Sequence, residues 1–234
     1  MLFLKKINHT KNNIMKMMMI IILAFFTYTI LERILYKNRW LNDNRQLWSS
    51  PFTFIWLFLL LILLYFVEPG EYKPWGNILY IKDGFKHIIP WVLGLVISYS
   101  LNRNILSKSA AALSWNSKEF YYFCIINPFI EEILFRGIIL MNLLNKFPII
   151  RYEELFVIIS SILFALFHIN YENKLKLSKD YIFRYFLIFI LGNAIGFLVL
   201  LTHSLWMSIL MHILINLTGS IYYNVLKLIF INEI

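Results

Sequence analysis

Cysteine is nearly absent from this chain: Cys124 stands alone, so there is no intrachain disulfide and no cysteine-rich zinc module. A catalytic thiol finds no support either, because low-pKa cysteines need an electropositive, partly exposed setting and Cys124 lies in an apolar run. It is read as a small packing residue. Charge is scarce too. Only 15% of the 234 residues are Asp, Glu, Lys or Arg and 60% are hydrophobic, against about a quarter and about 45 to 50% in a soluble domain. With a mean hydropathy of +0.67, these departures exclude an ordinary soluble enzyme and predict an integral membrane protein. Acidic residues are fewer than basic ones, giving a net charge of +9. The basic residues lie in the breaks between apolar runs, where lipid headgroups would meet them, so membrane lipid and not nucleic acid is the expected partner. Low-complexity segments and repeats of solenoid period are also missing.

The expected fold is all-α: a polytopic bundle of about seven transmembrane helices, with six to eight as the range. Met1 to Lys16 is basic and precedes an apolar run, Met17 to Leu31, that lacks a small-residue cleavage pattern and reads as a retained first span. The three methionines at its start are membrane-segment residues, since thioether ligands for copper would need partners this span does not offer. Pro51 to Val67 is a second span, ended by Glu68-Pro69-Gly70. Tyr72, Trp75 and Tyr80 then suit an interfacial belt, and a third span covers Phe85 to Leu101. Asn102 to Lys118 fits an amphipathic surface helix or a loop.

A fourth span, Phe120 to Leu144, is followed by a fifth, Leu155 to Ile169, and a sixth, Tyr181 to Leu201. Gly192 and Gly196, four apart on the sixth, would permit close helix packing. Thr202-His203-Ser204 is a tight break before a seventh helix from Leu205, and Tyr222 to Phe230 either extends it or forms a short eighth. The organisation expected is N-terminal spans over residues 1–119, a core over 120–219 and a C-terminal tail or short helix over 220–234, all within one membrane domain. Basic residues divide almost evenly between alternate loops, so they assign no orientation.

Within the apolar spans the strongly polar groups are few: Glu131, Glu132, Arg136, His168, Asn193, His212 and Asn216. An ionisable side chain at mid-membrane is unfavourable by about 2.5 to 3.5 kcal/mol, so it ordinarily faces the protein interior and marks a functional site. Residues four apart share a helix face, which pairs His212 with Asn216, Glu132 with Arg136, and Phe164 with His168. Glu131 points about 100° away from Glu132. Glu132 is thus placed to be held by Arg136, leaving Glu131 to face a cavity. Pro128, three residues before Glu131, is expected to kink the helix there. A carboxylate, two imidazoles and an amide in a wet intramembrane pocket suit hydrolysis, with a carboxylate activating water and the later groups donating to an oxyanion.

The ordered set Glu-Glu-x-x-x-Arg, Phe-x-x-x-His and His-x-x-x-Asn on separate spans resembles the signature motifs of the CPBP intramembrane proteases, also called the Abi or CAAX-protease-and-bacteriocin-processing family. The likeness runs from about Phe120 to Gly219, through Gly192-Asn193-Ala194-Ile195-Gly196 and Thr202-His203-Ser204-Leu205-Trp206. His203 stands where that family commonly has glycine. The resemblance implies that Glu131 and His168 activate water, that His212 and Asn216 stabilise the oxyanion, and that Glu132, Arg136 and Phe164 support them. Its substrate would be a membrane-associated protein or a small peptide precursor.

Zinc is the second reading of the site. Glu131, His168 and His212 would supply three ligands with a position left for water, although no His-Glu-x-x-His pair is present. Singly, each motif also has a structural explanation: a helix-end histidine, an interhelical hydrogen bond, a buried ion pair. Their occurrence together and in order favours catalysis. A bacterial cell membrane fits the Lys-, Ile- and Asn-rich composition. The reading from a different class is a non-catalytic partner protein giving self-immunity to a bacteriocin. A proton-relay transporter fits the buried carboxylates, but no internal repeat accompanies them.

Overall fold

A computed structural model describes residues 51–65, 118–147, 153–168 and 179–229, together with Met19, Gly70, Tyr72, Lys86, residues 88–90, Leu93 and Gly94. The expected first span, most of the third, the surface segment after Leu101 and the loop after His168 lie outside the described residues.

Among the described residues the protein is helical and contains no strand. Helix α1 is Pro51–Tyr65. The motif stretch is one run of helical backbone in five pieces: α2 (Lys118–Tyr121), the wide turn π1 (Tyr122–Ile126), α3 (Asn127–Glu132), the wide turn π2 (Ile133–Leu140) and α4 (Met141–Lys146). Helices α5 (Glu153–Phe167), α6 (Lys179–Thr202) and α7 (Leu205–Ile229) complete the described set. Tyr222 to Ile229 extends α7 without a break and forms no separate helix.

Among the described residues two helices contain windows long and apolar enough to cross a membrane, Tyr185–Thr202 in α6 and Leu205–Tyr222 in α7. Helix α5 shows the same adaptation in its faces. Ser160 and Ser161 are buried with Phe156, Val157 and Phe164, whereas Leu155, Ile158, Ile159, Ile162 and Leu166 are exposed. Apolar residues outside and hydroxyls inside invert the pattern of a helix in water. The inward serines are satisfied: Ser161 donates to Val157 O on its own helix (2.7 Å) and Ser160 to Phe135 O on π2 (2.8 Å).

The motif run forms the centre. Every residue from Ile133 to Leu140 is buried, enclosed by α1, α5, α6 and α7. Helices α5 and α6 make the most extensive contact in the bundle, and the two glycines of α6 explain it. A Cβ on Gly196 would lie 2.7 Å from Val157 Cγ1, and one on Gly192 would lie 3.2 Å from both Phe164 Cδ1 and Ser161 Cβ. Their absence lets the helices close up.

The break between α6 and α7 turns at His203. His203 has φ 51°, a left-handed conformation that glycine adopts without strain and that costs other residues about 1 to 2 kcal/mol. The His203 ring stacks on Tyr72 with 4.7 Å between centroids, a contact glycine could not make. Ser204 Oγ accepts from Trp206 N–H (3.3 Å) and caps α7.

Candidate active site

The site is assembled from α3, π2, α5 and α7. Glu131 and Glu132 end α3 and are both buried. Glu132 lies 3.3 Å from Arg136 one turn along, as their spacing predicts. Arg136 also donates from Nη2 to Gly192 O on α6 (2.9 Å) and sits 4.5 Å over the Phe164 ring. The arginine is therefore held by a carboxylate, a carbonyl and an aromatic face, each from a different element. Gly192 has a second role here, since a Cβ on it would come within 3.4 Å of Nη2.

Glu132 has a further partner. Its Oε1 lies 2.8 Å from His212 Nδ1, from α7. Paired with Arg136, Glu132 is an acceptor, so Nδ1 carries the proton it donates. This fixes the tautomer and turns His212 Nε2 toward Glu131 Oε2, at 3.7 Å. His168 follows the same logic from α5. Its Nδ1 is 2.8 Å from Phe164 O, and a carbonyl can only accept. His168 Nε2 consequently faces Glu131 Oε1, also at 3.7 Å.

Glu131 thus stands between two imidazoles, one Nε2 to each oxygen, at separations too long for direct hydrogen bonds. Oε2 has no hydrogen-bond partner among the described residues. His168 is more open than Glu131, with 26% of its side chain exposed against 6%. Phe164 packs against all the rings: 4.4 Å from His168, 5.8 Å from His212 and 5.2 Å from Phe135, centroid to centroid.

Asn216 lies one turn beyond His212 on α7, and its Nδ2 donates to Phe123 O at 3.1 Å. The reason is in the motif run. In π1 the hydrogen bonds skip one residue further, and Asn127 N–H bonds Tyr122 O. The next donor in that register, for Phe123 O, would be residue 128, which is proline and has no N–H. Asn216 supplies the missing donor from another helix. At Pro128, where a kink is expected, the structure has this widened turn, with helical dihedrals on either side of it: Ile126 has φ −71°, ψ −46° and Asn127 φ −62°, ψ −48°.

Of the polar residues singled out in the sequence, Glu131, Glu132, Arg136, His168 and His212 are brought together with Phe164. Asn216 reaches the same helical run at Phe123, eight residues before Glu131, and Asn193 turns back to Phe189 O (2.8 Å) on its own helix. Asn127 was not singled out. Its Nδ2 lies 2.5 Å from Glu131 Oε1, a contact signalled only by its position four residues before Glu131.

Residues 112–218, slightly under half of the chain, match the family model described as type II CAAX prenyl endopeptidase, Rce1-like. Over those residues the chain is similar to that family of endopeptidases. The match contains every residue of the site and agrees with the resemblance carried by the three motifs. Searches of curated proteins and of solved structures gave no match. Among the described residues no group of three or more His, Cys, Asp or Glu side chains is placed to hold a metal ion.

Proposed function

We propose that the protein is an intramembrane endopeptidase, built on about seven spans, that cleaves a peptide bond of a membrane-associated protein or small peptide precursor. The carrying observation is Glu131 flanked by His168 Nε2 and His212 Nε2, each at 3.7 Å. A water bound between Glu131 and His168 gives up a proton to the Glu131 carboxylate as its oxygen attacks the scissile carbonyl. His168, its Nδ1–H held by Phe164 O, offers the Nε2 lone pair that orients this water. General-base assistance of this kind contributes about 10²- to 10⁴-fold.

The carbonyl oxygen, now an anion, accepts from His212 Nε2–H and from the second N–H of Asn216. This role requires a proton on each nitrogen of His212, one given to Glu132 and one to the oxyanion. Removing one such donor typically costs about 10²- to 10³-fold in rate. Protonated Glu131 then returns its proton to the leaving amine, and the C–N bond breaks.

The test is cleavage of a prenylated peptide ending in a CAAX-type sequence by the full chain in proteoliposomes. Wild type is expected to cleave it, and Glu131→Ala and His212→Ala are expected to be inactive while inserting normally. Full activity in both variants, or no cleavage by wild type, would overturn the reading.

A further inference from the structure

Glu131 is held by a group that the three motifs do not include. We infer that Asn127 is a positioning residue that orients the Glu131 carboxylate, with Tyr122 in turn orienting Asn127. The inference rests on Glu131 being the base proposed above.

Asn127 and Glu131 are four apart in α3, so they share a face, and Asn127 Nδ2 lies 2.5 Å from Oε1. The amide must present its NH2 group to the carboxylate, which leaves its carbonyl oxygen pointing away. Tyr122 Oη, 3.4 Å from Asn127 Oδ1, sits where a donor to that oxygen belongs. Tyr122 is five residues before Asn127, and in an α-helix that spacing would put the two about 140° apart around the axis. The wide turn π1, closed by Asn127 N–H to Tyr122 O, brings them to one side. The turn that accommodates Pro128 therefore also builds the relay Tyr122, Asn127, Glu131.

The consequence is geometric. The terminal torsion of a glutamate is broad and weakly constrained. With Oε1 held by Asn127, the carboxylate plane is set, and each oxygen faces one histidine nitrogen at 3.7 Å. Without the amide the carboxylate could rotate, and a misplacement near 1 Å at a reacting group can cost on the order of 10²-fold. Asn127 touches neither the substrate nor the water in this arrangement, so its loss should fall on kcat and spare KM.

The experiment compares Asn127→Leu, Asn127→Asp and Tyr122→Phe with Glu131→Gln in proteoliposomes, using the same prenylated peptide. Asn127→Leu keeps the size and removes the donor, and Asn127→Asp replaces the donor with an acceptor. Both should lower kcat by on the order of 10²-fold with KM changed less than about threefold, and Tyr122→Phe should lower kcat less. If Glu131→Gln is inactive while both Asn127 variants keep wild-type kcat, or raise only KM, the positioning role is overturned and the base stands. If Glu131→Gln is fully active, the base assignment itself fails. Thermal unfolding in detergent supplies an arm without turnover. Asn127→Leu should lower Tm more in the wild-type background than in Glu131→Leu, and equal losses would overturn the contact.

Discussion

Glu131 and Glu132 are adjacent, both buried and chemically identical, yet the structure gives them opposite surroundings. Glu132 is closed in, with Arg136 at 3.3 Å and His212 Nδ1 at 2.8 Å. Glu131 is left facing two histidine nitrogens at 3.7 Å, and among the described residues only Asn127 holds it directly. One residue of rotation separates a brace from the group proposed above as the base. The brace also extends across the bundle, from His212 through Glu132 and Arg136 to Gly192 O on α6. Loss of a brace residue should therefore be felt in stability and in activity, whereas loss of the Glu131 carboxylate, proposed above as the base, should be felt chiefly in activity.

The largest stability effect is expected for Arg136→Ala. It leaves Glu132 buried without its cation, and breaking a buried pair this way typically destabilises by about 3 to 5 kcal/mol. Thermal unfolding in detergent should show a Tm far below wild type, and a Tm within a degree or two would break the contrast between the two glutamates. Next comes Asn216→Leu, which removes the donor to Phe123 O. A buried carbonyl left unsatisfied costs about 1 to 3 kcal/mol, so unfolding and turnover should both suffer. In a Pro128→Ala background the restored N–H can serve that carbonyl, and the stability loss should shrink.

Gly196→Ala is expected to cost about 1 to 3 kcal/mol through overpacking, because its Cβ would meet Val157 Cγ1 at 2.7 Å. Gly192→Ala has looser contacts and should destabilise less, yet it should reduce turnover more by pressing on Arg136. Measuring Tm and kcat for both glycine variants separates simple seam packing from support of the brace. The smallest effect should come from His203→Gly. It relieves the strain at φ 51° and loses the stack on Tyr72, worth about 0.5 to 1.5 kcal/mol, so Tm should move little and cleavage should stay at the wild-type rate.

Much of this site was legible in the sequence because helix geometry is local. Four-residue spacing anticipates Glu132 beside Arg136 and Phe164 beside His168, and the cost of charge in an apolar span marks the glutamates. The described helices also begin and end near the expected spans. Contacts between helices were not legible. That His212 Nδ1 goes to Glu132 while Nε2 faces Glu131 depends on how α7 crosses the motif run. The wide turn at Pro128 was missed because proline in an apolar helix reads as a kink. A compensating donor 88 positions later in the chain, Asn216, leaves no trace in local spacing. Asn127 was overlooked although its spacing was readable, because a lone amide four residues from a carboxylate is an ordinary helix neighbour.

The most direct test of the division between the two carboxylates is turnover of the prenylated peptide by Glu131→Gln in proteoliposomes, normalised to folded protein by its Tm. The account predicts a Tm near wild type with turnover lower by about 10²- to 10⁴-fold. Turnover within threefold of wild type, at an unchanged Tm, would contradict it.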